Sequence, residues 1–390
     1  MDLKKVLGYG SFTSPRIIFG IDSIDAIEEI APRFGRKFMI ITDSALEKAG
    51  ILAKVVDRAK GLERLVHVIE PREPYVEDAE AIAAAARESG CDAIIGVGGG
   101  SVLDLAKVAS MAPANPGPIE GYLGKDKLTR KGLPLIAIPT TSGTGSEVTQ
   151  AIVLSTREGV KMAIWDQRVM PDVAIVDPAL TTSMPPKVTA SSGIDALSHS
   201  VEALMSKLAN PITDCLAIES IRMIFRNLPK AFARGEDLEA RYHMSLAALM
   251  AGLAFSNSSL TAGHAVAYTY SHRYRMPHGV ACGLALPYVM AYNMPAVAES
   301  LSRAAEAIGE GGGDPLEASK GLVRRVMDLA RMVGIPTSLR EVGAEEGEIR
   351  AFAEDLLGKY SRLLPNNPRR ISQEDAMEIF RRAWEGRPFP

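Results

Sequence analysis

The sequence predicts an α/β N-terminal domain built on a Rossmann-like parallel sheet, followed by an all-α C-terminal domain. In the first half, short apolar segments alternate with amphipathic ones, which is typical of strands and helices in a parallel α/β sheet. After Pro185-Pro186 the apolar residues recur at helical spacing almost without a convincing strand. The 390 residues also exceed what one hydrophobic core ordinarily serves. We therefore expect domains at residues 1–186 and 187–390.

The predicted strands and helices follow one another in a regular order. The strands are short apolar runs, whereas the helices show periodic apolar residues and, at 77–89, acidic residues near the start. Two further helices are expected after residue 44 and from residue 101. The expected strands are 37–43, 65–69, 92–97 and 135–138, and the main helices of the second half are 190–205, 218–232, 238–255, 280–292 and 316–333.

Charge and composition exclude several classes of partner. The net charge is −3 and the basic residues are spread along the chain, which argues against a nucleic-acid partner. Residues 1–5 lack the apolar core of a signal peptide. The apolar segment 281–292 is shorter than the roughly 20 residues that a membrane span needs. We expect no membrane association and, because the three cysteines are widely separated, a cytoplasmic protein with reduced thiols.

A glycine-rich loop joins the predicted strand 92–97 to the helix that follows. Consecutive glycines let a phosphate approach the backbone, and the N–H groups at the start of the helix favour an anion. Because Ser101 occupies the third glycine position of G-x-G-x-x-G, the loop differs from that dinucleotide fingerprint. The candidate phosphate-binding residues are Gly98, Gly99, Gly100 and Ser101, and a tight β–α turn is the alternative.

A second loop, residues 139–147, follows the next predicted strand and is rich in glycine and hydroxyl groups. Its hydroxyls and amides can bind phosphate and ribose oxygens, whereas the absence of a Walker lysine disfavours nucleoside-triphosphate hydrolysis. Two such loops at the carboxyl ends of parallel strands predict a nucleotide crevice. This loop contributes Thr140, Thr141, Ser142 and Thr144 to the candidate site.

Asp43, at the end of the predicted strand 37–43, bears on the choice of cofactor. A carboxylate at this point can accept hydrogen bonds from the adenosine ribose and would repel a 2′-phosphate. The residue therefore favours NAD over NADP. The alternative is that Asp43 caps the next helix.

The second half of the chain contains a candidate metal site. Asp195 and His199 are four residues apart in a helical pattern, so they share one helix face. Histidines 264, 272 and 278 then fall within one short segment. Carboxylate and imidazole donors suit Fe²⁺ or Zn²⁺ and leave room for a substrate oxygen. For any single member of this group, packing or surface exposure is the alternative.

Four segments resemble the signature segments of the iron-containing alcohol dehydrogenases: Gly98–Lys107, Pro139–Thr149, Gly193–His199 and Pro277–Gly279. Their order and spacing cover most of the chain. The resemblance implies the architecture shared with dehydroquinate synthase and glycerol dehydrogenase, and a homodimer or larger homo-oligomer. It adds Asp104, within the first segment, to the candidate cofactor residues. Lys161 resembles a lysine found near the cofactor in the family, with a surface salt bridge as the alternative.

The resemblance also implies which side chains hold the metal. Asp195 and His199 match the first two ligands, and His278 matches the last. The remaining ligand of the family lies fourteen residues before the last, which corresponds to His264 and leaves His272 outside the set. Many members carry a further histidine where this chain has Tyr268. Tyr268 or His272 is therefore a candidate for contacting substrate or carrying the proton, and packing is the alternative for both.

The function implied by the resemblance is that of an NAD-dependent alcohol dehydrogenase. A divalent metal would polarise the oxygen of a small alcohol or aldehyde while hydride passes to or from nicotinamide. Alternatives of the same fold are a hydroxyacid–oxoacid transhydrogenase, another hydroxyacid or diol dehydrogenase, and a metal-free maleylacetate-type reductase. The alternative from a different class is a non-catalytic nucleotide- or metal-binding module.

Overall fold

The computed structural model describes residues 11–389, which divide into two compact units. One unit spans Ser14–Met184. The other contains the described residues up to Thr13 together with those from Pro185 onward. The sequence-based limits, 1–186 and 187–390, differ from this division because they assign residues 11–13, Pro185 and Pro186 to the α/β part. The predicted lack of a signal peptide concerns residues 1–5, which lie outside the described residues.

The unit Ser14–Met184 contains two sheets. Six strands form a parallel sheet in the order β1-β9-β6-β4-β2-β3, and the other three form a small sheet in the order β5-β8-β7. In the small sheet, β7 and β8 pair as an antiparallel hairpin. The strands are β1 (Arg16–Phe19), β2 (Lys37–Asp43), β3 (Glu63–Ile69), β4 (Ala93–Gly98), β5 (Gly124–Lys125), β6 (Leu135–Pro139), β7 (Ala151–Ser155), β8 (Lys161–Trp165) and β9 (Val173–Val176).

The centre of the large sheet determines where a ligand can bind. Strands β4 and β6 are buried throughout, as expected for parallel strands that are covered on both faces. The chain passes from β2 outward to β3 and then returns to β4 on the other side of β2. The strand order therefore reverses between β2 and β4. Ligands of open α/β sheets bind at such a switch point, beyond the carboxyl ends of the strands.

Helices cover the large sheet on both faces. One apolar cluster includes residues of α4 and α5, and a second includes residues of α1 and α3. The long helix predicted after residue 44 is divided at Gly50, whose φ of 75° lies in the left-handed region that favours glycine. The helices of this unit are α1 (Ile27–Ile30), α2 (Ser44–Lys48), α3 (Ile51–Arg58), α4 (Val76–Ser89) and α5 (Gly100–Met111).

From Pro185 to residue 389 the second unit is helical, apart from turns and short 3-10 segments. Its central helix, α6, packs against α7, α8 and α10, and residues 193–205 of α6 are all buried. The helices are α6 (Pro186–Met205), α7 (Pro211–Ala233), α8 (Leu238–Ser258), α9 (Ala262–Ser271), α10 (His278–Ala307), α11 (Pro315–Met332), α12 (Ile349–Leu357) and α13 (Gln373–Glu385). The predicted fold class, a parallel α/β part followed by an all-α part, is confirmed.

Helix α10 is long and apolar enough, by length and composition, to cross a membrane. However, 67% of its apolar window is buried inside the protein, and the helix contains Pro287 and Pro295. Burial of this kind is typical of a central core helix. The extent of α10, thirty residues with a kink at Val297 where the backbone is not helical, greatly exceeds the predicted helix 280–292.

Candidate metal centre and cofactor loops

Helix α6 presents Asp195, His199 and Glu202 on one face, because their spacing of four and three residues is close to one helical turn. All three side chains are at most 5% exposed. Burying charged groups together is costly unless they are paired or bind an ion. This face of α6 is therefore the base of a polar site inside an apolar helical core.

Helices α9 and α10 complete the site with His264 and His278. The Asp195 Oδ1 atom lies 3.9 Å from Nε2 of His199, 3.8 Å from Nε2 of His264 and 3.6 Å from Nε2 of His278. The Nε2 atoms of His199 and His264 are 3.1 Å apart. The structure thus brings together the four side chains that the resemblance implied as metal ligands.

The geometry and chemistry of these four donors fit a divalent cation. Bonds of about 2.1 Å to a tetrahedral ion place the donor atoms roughly 3.4 Å apart, close to the separations found here. Asp195 is 2% exposed, and its Oδ1 has no hydrogen-bond partner. Burial alone would raise the pKa of the Asp195 carboxyl, but the three neighbouring imidazoles lower it. A buried anionic oxygen without a hydrogen bond is expected where a cation binds.

Glu202 orients one of the predicted ligands, a role that the sequence interpretation did not include. Its Oε1 lies 2.5 Å from His264 Nδ1, and its Oε2 accepts hydrogen bonds of 2.9 Å from both the amide and the hydroxyl of Thr261. Burial opposes ionisation of Glu202, but His264 lowers the pKa of the carboxyl. A Cβ atom on Gly263 would lie 2.5 Å from Glu202 Oε1, so only glycine leaves room for this contact. The signal in the sequence was the 195, 199, 202 spacing.

The two candidate substrate or proton-transfer residues lie in different surroundings. The ring of Tyr268 stacks on His278, with centroids 5.6 Å apart, and also contacts the ring of Tyr360. Burial raises the pKa of Tyr268 to about 12, so its phenol stays protonated at neutral pH. His272 follows the last residue of α9 and is exposed. Tyr268 therefore lies at the metal centre, whereas His272 faces solvent.

Cys282 is a second residue of the centre that the sequence interpretation did not assign to it. The thiol lies one helical turn after His278 on α10, and its Sγ is 3.6 Å from His278 Nε2. Donor atoms of Asp195, His264, His278 and Cys282 all lie within 4.8 Å of one another. The sequence showed only a cysteine without a nearby partner cysteine, so it gave no reason to place the thiol here.

In the α/β unit, the two predicted cofactor loops lie against each other at the carboxyl ends of β4 and β6. The amide of Thr140 donates to the carbonyl of Gly98 at 3.1 Å. A Cβ atom on Gly99 would touch the Thr141 side chain at 3.4 Å, and one on Gly100 would lie 2.8 Å from Thr144 Cγ2. Glycine is thus required at Gly100 for the close approach of the two loops.

The remaining loop residues occupy distinct positions. Thr140 and Ser142 are buried, Thr141 and Thr144 are half-buried, and Ser101 lies in the first turn of α5. The structure therefore places all the predicted hydroxyl groups in or beside these two loops.

Asp104 and Lys107 form a buried network behind the loops. Asp104 accepts hydrogen bonds from Ser146 Oγ at 2.6 Å and from the amide of Val153 at 2.8 Å. Lys107 donates to Ser146 Oγ at 2.8 Å, to Thr149 Oγ1 at 2.9 Å and to the carbonyl of Ala151 at 2.7 Å. Both carboxylate oxygens of Asp104 are thus engaged within the protein, and the network fixes the second loop to α5.

Asp43 and Lys161, also predicted to bind cofactor, already have protein partners. Asp43 Oδ1 caps α2 by accepting from the amides of Ala45 at 2.9 Å and Leu46 at 3.0 Å. Asp43 also ends β2, beside the switch point of the sheet. Lys161 pairs with Glu73, the type of contact given above as its alternative.

A parallel sheet with two glycine- and hydroxyl-rich loops at its carboxyl ends, together with a largely buried cluster of one aspartate and three histidines, is the arrangement expected of a nucleotide- and metal-dependent enzyme. Comparison with protein families agrees. Residues 14–178 match the iron-containing alcohol dehydrogenase model, and residues 189–384 match the C-terminal part of the same family. The chain belongs to the iron-containing alcohol dehydrogenase family, which confirms the resemblance drawn from its four segments, and it is an oxidoreductase.

Individual relatives and solved structures support this assignment across the whole length. The chain is 39% identical to long-chain-alcohol dehydrogenase 1 of Geobacillus thermodenitrificans (strain NG80-2), over 95% of this chain and 97% of the relative. A crystal structure of 1,3-propanediol oxidoreductase superposes with a TM-score of 0.92 at 37% identity, covering 96% of this chain and all of that one. The structure of sulfoacetaldehyde reductase from Bifidobacterium kashiwanohense in complex with NAD⁺ has a TM-score of 0.87 at 32% identity. It covers 96% of this chain and 98% of that one.

Proposed function

We propose that this protein is an NAD-linked, metal-dependent alcohol dehydrogenase that interconverts a small alcohol and its aldehyde. The observation that carries the proposal is the buried Asp195 Oδ1, without a hydrogen bond and surrounded by the Nε2 atoms of three histidines. The relatives named above, a long-chain-alcohol dehydrogenase and a 1,3-propanediol oxidoreductase, support an alcohol as the substrate class, although they differ in the length of the alcohol.

In this proposal Asp195, His199, His264 and His278 hold Fe²⁺ or Zn²⁺. When bound, the metal supplies Lewis-acid polarisation of the substrate oxygen. Glu202 holds His264 in the tautomer that carries its proton on Nδ1, so Nε2 presents its lone pair to the site.

Tyr268 has two tasks in the proposed reaction. Stacked on His278, it excludes water from one side of the centre. As a neutral phenol it can also donate a hydrogen bond to a substrate oxygen, whereas a pKa of about 12 makes it a poor base at neutral pH. His272 is exposed and is therefore the weaker candidate for proton transfer.

The two loops of the α/β unit would hold the cofactor. Glycines 98–100 and the first turn of α5, including Ser101, suit the pyrophosphate, because a helix N-terminus offers amide donors and a positive dipole. The hydroxyls of residues 140–144 suit ribose and phosphate oxygens. We assign Asp104 a positioning role, since its oxygens bind within the protein. The related structure with bound NAD⁺ supports NAD as the cofactor.

We further infer that two copies of the chain associate. Strand β3 is an edge of the six-stranded sheet and exposes three apolar side chains, Leu65, Val66 and Val68, each at least 38% accessible. Exposed apolar edge strands are prone to pair with another chain. A homodimer would cover this strand. A cytoplasmic location is also proposed, because the three cysteines are free thiols.

The proposal is tested by removing and restoring the metal without oxygen present. Metal-stripped protein receives Fe²⁺, Zn²⁺ or Mn²⁺ with NAD or NADP and a panel of primary alcohols, diols, hydroxyacids and their carbonyl partners. We expect metal-restored NADH formation with an alcohol, lost in His264→Ala and kept in His243→Ala, a half-buried histidine of α8. Full activity without metal would instead indicate a metal-free reductase, and bound metal and NAD without turnover would indicate a binding module.

A further inference from the structure

We propose that Cys282 supplies a sulfur donor to the metal centre, which gives the centre two overlapping sets of four donors. Three donors, Asp195, His264 and His278, are common to both sets. His199 completes one set, and Cys282 completes the other. This inference rests on the metal site of the proposed function and adds a ligand of a different chemical type to it.

The position of Cys282 on its helix makes the contact possible. His278 and Cys282 are one turn apart on α10, so both side chains project from the same face. The Sγ atom lies 3.6 Å from Nε2 and 3.7 Å from Nδ1 of His278. Cys282 is 1% exposed, so the thiol is enclosed with the other donors.

A second observation points to a cation at the same place. The Oδ1 atom of Asp195, a residue 98% buried, has no hydrogen-bond partner, and it lies in the group of donor atoms that includes Cys282 Sγ within 4.8 Å. A metal that satisfies this oxygen is therefore within reach of the sulfur. Zinc–sulfur bonds are about 2.3 Å and zinc–nitrogen bonds about 2.0–2.1 Å, so sulfur tolerates the longer reach.

A sulfur donor would change which ion the centre prefers. Thiolate favours Zn²⁺ and Co²⁺, whereas Mn²⁺ prefers oxygen ligands. As the sulfur–metal bond forms, the thiol proton leaves to solvent, and no change in oxidation state is involved. The alternative is that Cys282 is only a small apolar residue packed in the core.

The experiment uses the full chain stripped of metal and then loaded with Co²⁺ or Zn²⁺. Cobalt bound to sulfur gives a near-ultraviolet charge-transfer band that nitrogen and oxygen donors do not give. We expect this band in the wild type and in Cys215→Ser, whose cysteine is exposed, and its loss in Cys282→Ser and Cys282→Ala. X-ray absorption of the zinc-loaded wild type should show a sulfur neighbour at about 2.3 Å and needs no variant.

Chelator competition separates the two donor sets. We expect Cys282→Ala to bind Zn²⁺ about 10-fold or more weakly with little change for Mn²⁺, because only the softer ion loses a preferred donor. His199→Ala should still bind Zn²⁺ through the set that contains Cys282. The variant that carries both His199→Ala and Cys282→Ala should not bind it.

Absence of the cobalt band and of the zinc–sulfur distance, with unchanged zinc affinity in Cys282→Ala, would overturn the proposal. The four-ligand centre and the dehydrogenase function would then stand. A wild-type protein that binds none of these metals would overturn both.

Discussion

His264 Nδ1 lies 2.5 Å from Glu202 Oε1, and this contact determines which imidazole nitrogen faces Asp195. Replacing Glu202 by glutamine keeps its size but removes the charge that favours a proton on Nδ1. Loss of such an outer partner typically weakens metal binding 10–100-fold. We expect Glu202→Gln to reduce zinc affinity by roughly that factor, measured by competition with a chelator. Glu219→Gln, which changes a partly exposed glutamate paired with Arg222 on α7, should leave the affinity unchanged.

The contact between the two cofactor loops predicts a paired set of variants. A methyl group on Gly100 would approach Thr144 Cγ2 to 2.8 Å, so Gly100→Ala should separate the loops. Overpacking of this kind typically costs about 1–3 kcal/mol. If that cost falls on the loop arrangement that binds the cofactor, NAD binds roughly 5- to 150-fold more weakly. We expect this change in NAD affinity, measured calorimetrically, with zinc affinity unaltered.

Adding Thr144→Ser to Gly100→Ala removes the clashing methyl group and should restore part of the NAD affinity. Thr144→Ser alone keeps the hydroxyl and should bind NAD nearly as well as the wild type. If the double variant binds no better than Gly100→Ala, the loops do not act through this contact.

Asp43 tests the preference for NAD without disturbing the fold. Its Oδ1 caps α2, so Asp43→Gly would lose the cap as well as the charge. Asparagine caps about as well as aspartate but is neutral. We expect Asp43→Asn to raise kcat/KM with NADP several-fold, because repulsion of a 2′-phosphate is removed, while Tm is maintained. Unchanged discrimination between NAD and NADP would leave Asp43 with the capping role alone.

The elements that the sequence predicted well are those with clear apolar patterns that lie against the buried core. The expected strand at 37–43 matches β2, and the expected helix at 77–89 matches α4 within a residue. The strands β1 and β9, of four residues each, were not predicted. The hairpin of β7 and β8, whose two strands are consecutive and pair with each other, was not predicted either.

In the metal centre, some residues could be found from local spacing in the sequence, whereas the position of another depends on how the helices pack. Asp195 and His199 were found from helical spacing, whereas the place of Cys282 depends on how α10 packs against α6. Asp43 shows a second limit of prediction from the sequence. One carboxylate can cap a helix and face a cofactor, and the sequence alone does not separate the two roles.

Glu147, in the second cofactor loop, predicts a pH dependence of stability. The residue is 3% exposed, and burial raises the pKa of its carboxyl from 4.5 to about 7. The folded protein therefore binds this proton more tightly than the unfolded chain does. The resulting stability is fully present below pH 4.5 and is lost as the pH rises through 7. At roughly 1.4 kcal/mol per pH unit, the loss is up to about 3 kcal/mol.

Glutamine at this position cannot ionise, so Glu147→Gln should lose less stability than the wild type between pH 5 and pH 8. The measurement is Tm at both values for wild type, Glu147→Gln and the control Glu120→Gln, which changes an exposed residue. The control should follow the wild type. Parallel pH profiles for all three proteins would mean that Lys107, which lies close enough to lower the pKa of Glu147, keeps the carboxylate charged in the folded state.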